Sequence, residues 1–370
     1  MKDNENHEDN LDKNNLKLPN SENNIEESSV WLYCPVCGSK LPPVKNLRYC
    51  IKCGLDIHYV QINQRFPPSP YQQEIYSVYS DSREKISDEQ LFIKKDKKLW
   101  GATASIGVPF LAFIIMNIIA VFMVLGFFFI SFNIEDLENI IIDPYFIIIA
   151  SLAELVFIVI PVLFVGKYLQ NPSLKNRLAL LGFSFKGYGK ISTLKEILIG
   201  LSFALIGIFL VGMVSILIEV LLEIIFGVQI IQDFNNTSGD IEILISSGDL
   251  LSIILLAIVM ILVIGTSEEV LFRGYMQKGL VRSVGKRWGI LITALIFSMI
   301  HLLGSFLIFP FDPYVFIISF LLSFFPYFAI SLMLGLLFQW RNENLIAVMI
   351  AHGFYDAITI IIAYIFLGLL

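Results

Sequence analysis

Two adjacent carboxylates, Glu268 and Glu269, directly follow an uncharged run, residues 250–267, that is long enough to cross a bilayer. Arg273 lies four residues after Glu269, so on a helix these two side chains share a face and can pair. Glu268 points about 100° away from that face. We therefore expect Glu269 to hold Arg273 and Glu268 to face a cavity, where a carboxylate can act as a general base.

Later apolar runs contain two histidines with partners at helical spacing. His301 lies four residues after Phe297, and His352 lies four residues before Asp356. An ionisable group inside hydrocarbon costs roughly 2.5–3.5 kcal/mol on insertion scales, so a chain that keeps several of them is expected to use them. A carboxylate and one imidazole could share the proton of a water molecule, and a second imidazole could face a developing negative charge.

Each of these polar sites also has a simpler explanation. A glutamate at a helix end can reach the interface, and a histidine inside a span can bond to a neighbouring helix. These explanations account for one site at a time, but not for three sites on three spans at compatible depth. Glu154, inside an earlier span, has no companion motif and is not predicted to be catalytic.

The composition identifies a polytopic membrane protein. Hydrophobic residues make up 56% of the chain and charged residues 16%, whereas about a quarter of the residues in a soluble domain are charged. Charge-bounded apolar spans predict an all-α, polytopic transmembrane helix bundle whose partner is the lipid bilayer: 100–131, 145–166, 197–218, 250–267, 288–303, 314–340 and 345–369. Pro326 lies inside the sixth span, which could be a kinked helix or two segments, so 7–8 spans are expected.

The loops between these spans alternate in charge. Loops 167–195 and 273–287 are rich in lysine and arginine, whereas 132–144 and 219–249 are acidic. The positive-inside rule places the basic loops and the N-terminus in the cytosol, with Asn235 outside. The sequence contains no basic stripe, so a nucleic-acid partner is not expected. Its richness in asparagine, isoleucine and lysine suggests a bacterial protein, and hence a location in the cell membrane of a bacterium.

All four cysteines lie in two Cys-x-x-Cys pairs near the N-terminus. Cys34 and Cys37 are separated from Cys50 and Cys53 by twelve residues, the spacing of a tetrahedral zinc ribbon. Two disulfides or four free thiols are the alternatives. A structural zinc ion would supply the folding energy of so small a module, and it would indicate a reducing compartment, in agreement with a cytosolic N-terminus. The ribbon could also bind a protein partner.

The chain divides into four parts by composition. Residues 1–29 form an acidic, asparagine-rich tail that is expected to be disordered, 30–60 form the zinc ribbon, 61–98 form a polar linker, and 99–370 form the transmembrane domain. His58 lies beside the ribbon, but with four thiolates available it is expected to be a strand residue and not a ligand.

Three strings on transmembrane segments resemble, in order, the motifs of the CAAX-protease and bacteriocin-processing superfamily. They are Glu268-Glu269-x-x-x-Arg273, Phe297-x-x-x-His301 and His352-x-x-x-Asp356. This family comprises the Abi-type intramembrane proteases, which include the prenyl-protein CAAX endopeptidases. The resemblance covers the C-terminal third of the chain and implies hydrolysis of a peptide bond in a membrane-associated peptide or protein.

The resemblance also implies roles for the residues of these strings. Glu268 and His301 would activate a water molecule, and His352 with Asp356 would line the oxyanion side of the site. The Glu269–Arg273 pair would support the first helix. Residues 99–370 would then form the protease domain.

One position departs from the CAAX-type pattern, because these relatives carry asparagine where this chain has Asp356. A charged aspartate would repel an oxyanion, so Asp356 must be protonated, orient His352 or bind a metal. Prenyl-CAAX specificity is therefore not implied. Two histidines and carboxylates could hold a catalytic zinc ion, but the spacing is not that of His-Glu-x-x-His, and the sequence favours metal-free glutamate chemistry.

Two other classes of function are compatible with the sequence. A non-catalytic membrane scaffold or bacteriocin self-immunity factor would keep the fold without turnover. A proton-coupled transporter would use Glu154, Glu268 and the histidines as a relay, but many transporters show inverted internal repeats, and this sequence contains none. The intact Glu268 and His301 favour the enzyme.

Overall fold

The computed structural model describes residues 31–43, 47–53, 55–63, 93–94, 97–131, 143–184, 190–229, 231, 248–308 and 313–368. Three features predicted from the sequence lie outside these residues: the tail 1–29, most of the linker 61–98, and Asn235. Within the described part, regular structure is helical and β pairing is limited to three isolated antiparallel bridges. The predicted all-α class is confirmed.

The helices follow the order that the apolar spans predict. They are α1 (Ile57–Asn63), α2 (Ala102–Ser131), α3 (Pro144–Ser151), α4 (Val156–Val165), α5 (Leu174–Leu181), α6 (Lys190–Phe226), α7 (Leu250–Val259), α8 (Gly265–Glu269), α9 (Lys278–Val284), α10 (Lys286–Ile308), α11 (Pro313–Trp340) and α12 (Ile346–Gly368). A 3₁₀ turn, Leu152–Leu155, joins α3 to α4. Two π-helical segments, Met260–Ile264 and Val270–Gln277, join α7, α8 and α9 into one continuous path.

Six helical stretches of the described chain are long and apolar enough to cross a membrane. They are Ala102–Phe127, Pro144–Tyr168, Ile191–Phe226, Leu250–Val284, Phe316–Trp340 and Ile346–Phe366. The remaining predicted span is present as α10, a helix of 23 residues that is not among these six. Of the two alternatives for the sixth predicted span, the single helix is observed, since α11 continues through Pro326. Neighbouring helices and local adjustments make proline tolerable in a membrane helix.

The fourth helical path is longer than the predicted span 250–267, since it continues to Val284. Glu268, Glu269 and Arg273 lie within this path, and all three side chains are buried inside the protein. Glu268 therefore lies midway along its helical path and not near its end.

Loops that the sequence assigns to one side of the membrane meet at one end of the bundle. Lys278 Nζ donates to Leu180 O at 3.0 Å, and Leu345 N donates to Gly182 O at 3.0 Å. At the same end Arg341 forms an ion pair with Glu196. We refer to this as the basic end of the bundle.

The opposite end of the bundle carries acidic residues. Tyr145 Oη donates to both carboxylate oxygens of Asp249 at 3.1 Å, which joins the start of α3 to the start of α7. Asp249 also accepts a hydrogen bond from Ser252 N at 2.7 Å, and this N-cap bond lowers the pKa of its carboxyl. This separation of charge agrees with the alternation of the loops along the sequence.

Two glycines let α8 and α12 approach closely beside the candidate site. A Cβ atom on Gly265 would lie 2.6 Å from Gly353 N, and one on Gly353 would lie 2.7 Å from Ile261 Cα. Small residues allow membrane helices to pack backbone against backbone. Gly353 directly follows His352, so this contact fixes how deeply His352 is set against the segment that carries Glu268.

We expect Gly353→Ala to destabilise the protein by about 1–3 kcal/mol, because backbone atoms of Ile261 cannot move aside as a side chain would. Thermal unfolding of the purified protein in detergent measures this effect. The matched control is Gly212→Ala in α6, where an added methyl meets nothing within 4 Å. Equal melting temperatures for the two variants would contradict the proposed close packing.

Candidate active site

Glu269 lies at the centre of a buried polar network. Its side chain is 0% exposed, and Oε1 accepts hydrogen bonds from Arg273 Nη1 and from His352 Nδ1, both at 2.7 Å. The Glu269–Arg273 contact is the one that helical spacing predicts. The bond to His352 was not expected, and it assigns the Nδ1 proton to that ring, since a carboxylate oxygen only accepts.

Arg273 extends this network to α11. Its Nη2 donates to Ser331 O at 3.2 Å and to Ser331 Oγ at 3.0 Å. The guanidinium carbon also lies 4.8 Å from the ring centroid of Phe297, a distance suited to a cation–π contact. Ser331 therefore satisfies Nη2 of this buried ion pair, whereas Arg273 Nε and Glu269 Oε2 have no hydrogen-bond partner in the described protein.

Glu268 lies between the two histidines. Its Oε1 is 3.6 Å from His301 Nε2, and its Oε2 is 3.7 Å from His352 Nε2. These distances exceed those of direct hydrogen bonds, so the carboxylate oxygens of Glu268 and the two Nε2 atoms are not bonded to one another and can each bond to water. Glu268 Oε2 is buried and has no hydrogen-bond partner in the described protein. The carboxylate is therefore positioned to take a proton from such a water.

The ring of His301 is oriented by its own helix and by α11. His301 Nδ1 donates to Phe297 O at 2.9 Å, since a carbonyl oxygen only accepts, and this directs Nε2 toward Glu268. The imidazole is flanked by Phe297 and Tyr327, with ring centroids 4.3 and 4.6 Å away. Nε2 of a neutral His301 is free to accept a proton.

Asp356 lies on the same side of His352 as Glu268 does. Asp356 Oδ2 is 3.4 Å from His352 Nε2, one helical turn along α12. The Nδ1 side of the ring is already fixed by Glu269, so orienting this histidine does not require Asp356. All six residues singled out as catalytic from the sequence thus come together, and their roles stay predictions.

Sequence reasoning missed three neighbours of the site. Ser331 and Tyr327 carry no sequence signal that separates them from other polar residues of apolar spans. Glu154 did carry one, a charge inside an apolar run, but it lacked a companion motif. In the structure Ser267 Oγ lies 3.4 Å from Glu154 Oε2, which places a further carboxylate beside the residue that precedes Glu268.

The four cysteines form the metal-binding candidate. Cys34 Sγ lies 3.5 Å from Cys53 Sγ, and Cys37 Sγ lies 3.5 Å from Cys50 Sγ. These distances exclude disulfides, whose sulfurs are about 2.05 Å apart. All four sulfurs lie within 4.8 Å of one another, and tetrahedral zinc at about 2.3 Å from each sulfur requires roughly 3.8 Å between them.

Local structure holds the sulfurs in this arrangement. Gly38 adopts a φ of 65°, which a turn after Cys37 requires, and Cys34 N donates to Ser39 O at 2.8 Å. Burial raises the pKa of Cys50, but hydrogen bonds from Ser39 and the backbone offset it and lower the value to about 6. His58 lies exposed in α1, so its prediction as a strand residue is wrong.

The described residues contain only one group of three or more His, Cys, Asp or Glu side chains with metal-binding spacing, and it is this cysteine cluster.

Comparison with known protein families adds an independent observation. Residues 250–358 match the family described as "Type II CAAX prenyl endopeptidase Rce1-like". This match confirms the resemblance for the segment that carries Glu268, Glu269, Arg273, His301 and His352 with Asp356. No curated protein and no solved structure matches the chain. The match covers residues 250–358 only, and together with the six apolar helices it fits an integral membrane protein that contains an Rce1-like segment.

The network predicts different stability effects for the two adjacent glutamates. Glu269→Gln should lower the unfolding free energy by about 3–5 kcal/mol, because it leaves the buried Arg273 without its charge partner. Glu268→Gln should cost clearly less, because the contacts of Glu268 with the two histidines, at 3.6 and 3.7 Å, are longer than hydrogen bonds. Parallel unfolding measurements on the two purified variants test this difference. Equal destabilisation of both would contradict the division of roles between them.

Proposed function

We propose that the protein is an intramembrane endopeptidase that hydrolyses a peptide bond of a membrane-associated peptide or protein. The observation that carries the proposal is the position of Glu268, buried within an Rce1-like membrane segment and flanked by two imidazole Nε2 atoms. An arrangement of one unpaired carboxylate and two oriented histidines suits the activation of water.

In the proposed reaction, a water molecule bridges Glu268 and His301. Glu268 takes one proton of this water while the water oxygen attacks the carbonyl carbon of the substrate. When the carbon–nitrogen bond breaks, the same carboxyl returns the proton to the leaving amine, so the protons balance. His301, held by Phe297 O, supports the water through Nε2.

His352 is proposed to stabilise the oxyanion. Glu269 accepts the Nδ1 proton, so His352 presents a second proton on Nε2 toward the developing charge when it is the imidazolium, with both nitrogens protonated. Asp356 approaches the same Nε2, where a negative charge would oppose the oxyanion. We therefore propose that Asp356 is protonated during this step and adds a second donor.

The proposed substrate class is broad. Asp356 replaces the asparagine of CAAX-type relatives, so a prenylated CAAX end is not singled out. The Rce1-like match favours an enzyme over a transporter or over a self-immunity factor without activity. The separation of basic and acidic ends supports a cytosolic N-terminus.

The cysteine cluster is proposed to bind one structural zinc ion. Four sulfurs at nearly tetrahedral spacing suit zinc, and the ion would stabilise a module whose own apolar core is small. The ribbon's role would be to present a cytosolic surface to a protein partner.

Removal of the base should abolish most of the activity. Glu268→Gln keeps the size of the side chain and should lower the hydrolysis rate by roughly 10² to 10⁴. His301→Ala should have a similar effect, because the same water needs both groups. The assay uses purified protein in lipid with a fluorogenic membrane peptide, and Glu223→Gln in α6 serves as the matched control. Full turnover by both site variants would eliminate this mechanism.

Asp356→Asn separates the possible roles of this aspartate. If Asp356 acts as a protonated donor, the variant keeps much of the activity, because an amide also donates. A sharp loss of activity in Asp356→Asn, together with inhibition of the wild-type protein by chelators, would instead assign a metal to the site and contradict the metal-free mechanism.

Metal analysis tests the zinc proposal directly. The full-length protein, purified under reducing conditions, should contain one zinc ion per chain. Cys37→Ser should lose this zinc, whereas His58→Ala should retain it because His58 is not among the clustered ligands. A full-length protein that keeps a stable ribbon without any metal would refute the assignment.

A further inference from the structure

A stacked aromatic and cationic group lies at the basic end of the bundle, apart from the candidate active site. The rings of Trp100 and Tyr275 are parallel within 3°, with centroids 4.9 Å apart. The guanidinium carbon of Arg282 lies 3.9 Å from the Trp100 ring. Trp100 Nε1 donates to Tyr275 O at 2.9 Å, so the stack is tied to the backbone.

Three polar atoms of this group lack partners. Arg282 Nε, Arg282 Nη2 and Tyr275 Oη are buried and make no hydrogen bond within the described protein. Tyr275 is 0% exposed. A buried donor without an acceptor is costly, and a buried guanidinium more so than a neutral group. Three unused donors in one place indicate an acceptor that comes from outside the chain.

The nearby carboxylate does not fill this role. Glu343 Oε2 pairs with Lys278 Nζ at 3.4 Å, and Glu343 Oε1 accepts from Gln339 Nε2 at 3.3 Å. Lys278 also donates to Leu180 O. Glu343 contributes an electrostatic attraction to Arg282 but no hydrogen bond to its Nε or Nη2.

The position of the stack suits a lipid headgroup. Arg282 lies two residues before the end of the membrane-capable stretch Leu250–Val284, and Trp100 lies two residues before the start of α2. Tryptophan and arginine at such ends lie at headgroup depth. Lys167 Nζ, 5.1 Å from the ring of Tyr168, adds positive charge close to the stack, since Tyr168 packs against Trp100 at 5.8 Å.

We infer that Arg282 and Tyr275, on the Trp100 stack, bind a phosphate group. The planar guanidinium can donate from Nε and Nη2 to two phosphate oxygens, and the tyrosine hydroxyl can donate to the same group. The phosphate belongs either to an anionic lipid headgroup or to a free anion. Binding would anchor the junction between the N-terminal region and the first membrane helix, independently of any peptidase activity.

The test uses the full-length protein in discs of phosphatidylcholine, with or without phosphatidylglycerol, and with or without inorganic phosphate. Native mass spectrometry measures lipid retention, and thermal unfolding measures protection. Arg282→Gln should weaken ligand binding by at least about tenfold, because a buried charged partner is lost. Arg287→Gln, an exposed arginine at the start of α10, should change it by less than about twofold.

The two ligand arms identify the source of the phosphate. If only phosphatidylglycerol protects the protein against thermal unfolding, the site binds a lipid headgroup. If only inorganic phosphate protects it, the site binds a free anion. Equal binding by the wild type and Arg282→Gln, or no response to either ligand, would overturn the inference. If Arg282→Gln does not fold, Tyr275→Phe keeps the ring stack, and it should weaken binding several-fold without changing the melting temperature in phosphatidylcholine.

Discussion

The buried carboxylate of Glu269 is the interaction on which the rest of the site depends. One oxygen, Oε1, accepts from Arg273 and from His352, and Arg273 in turn donates to Ser331. Charges inside a membrane bundle are tolerated only when they satisfy one another. The carboxylate therefore joins its own helical path to α12 directly and to α11 through the arginine, and it decides which nitrogen of His352 faces the cavity.

This arrangement leaves Glu268 available for chemistry. Because Glu269 neutralises Arg273 and orients His352, its neighbour is held at 3.6 and 3.7 Å from the two histidines without a direct bond. The Gly265–Gly353 contact sets the depth of α12, and π-helical segments flank α8 on both sides. Such π segments are frequent at functional sites. Two consecutive residues thus serve different purposes, one structural and one chemical.

Local geometry made part of this site predictable from the sequence. The Glu269–Arg273 pair follows from a spacing of four residues on a helix, and the cysteine cluster follows from the two Cys-x-x-Cys pairs. The bond between Glu269 and His352 could not be predicted, because it joins helices 83 residues apart. The charge pattern predicts too short a fourth helix for the same reason, because Glu269 bonds to His352 on another helix and does not need water. The sequence predicts a strand at His58 because a seven-residue helix has too little periodicity to be recognised.

The central claim is that Glu268 drives peptide-bond hydrolysis in the membrane. The most direct test compares membrane peptides, by mass spectrometry, from cells that carry the intact protein and from cells that carry Glu268→Gln at equal expression. The account predicts fragments with new carboxyl termini in the first set, and their uncleaved precursors in the second. Identical peptide sets, from a variant shown to be folded and in the membrane, would contradict it.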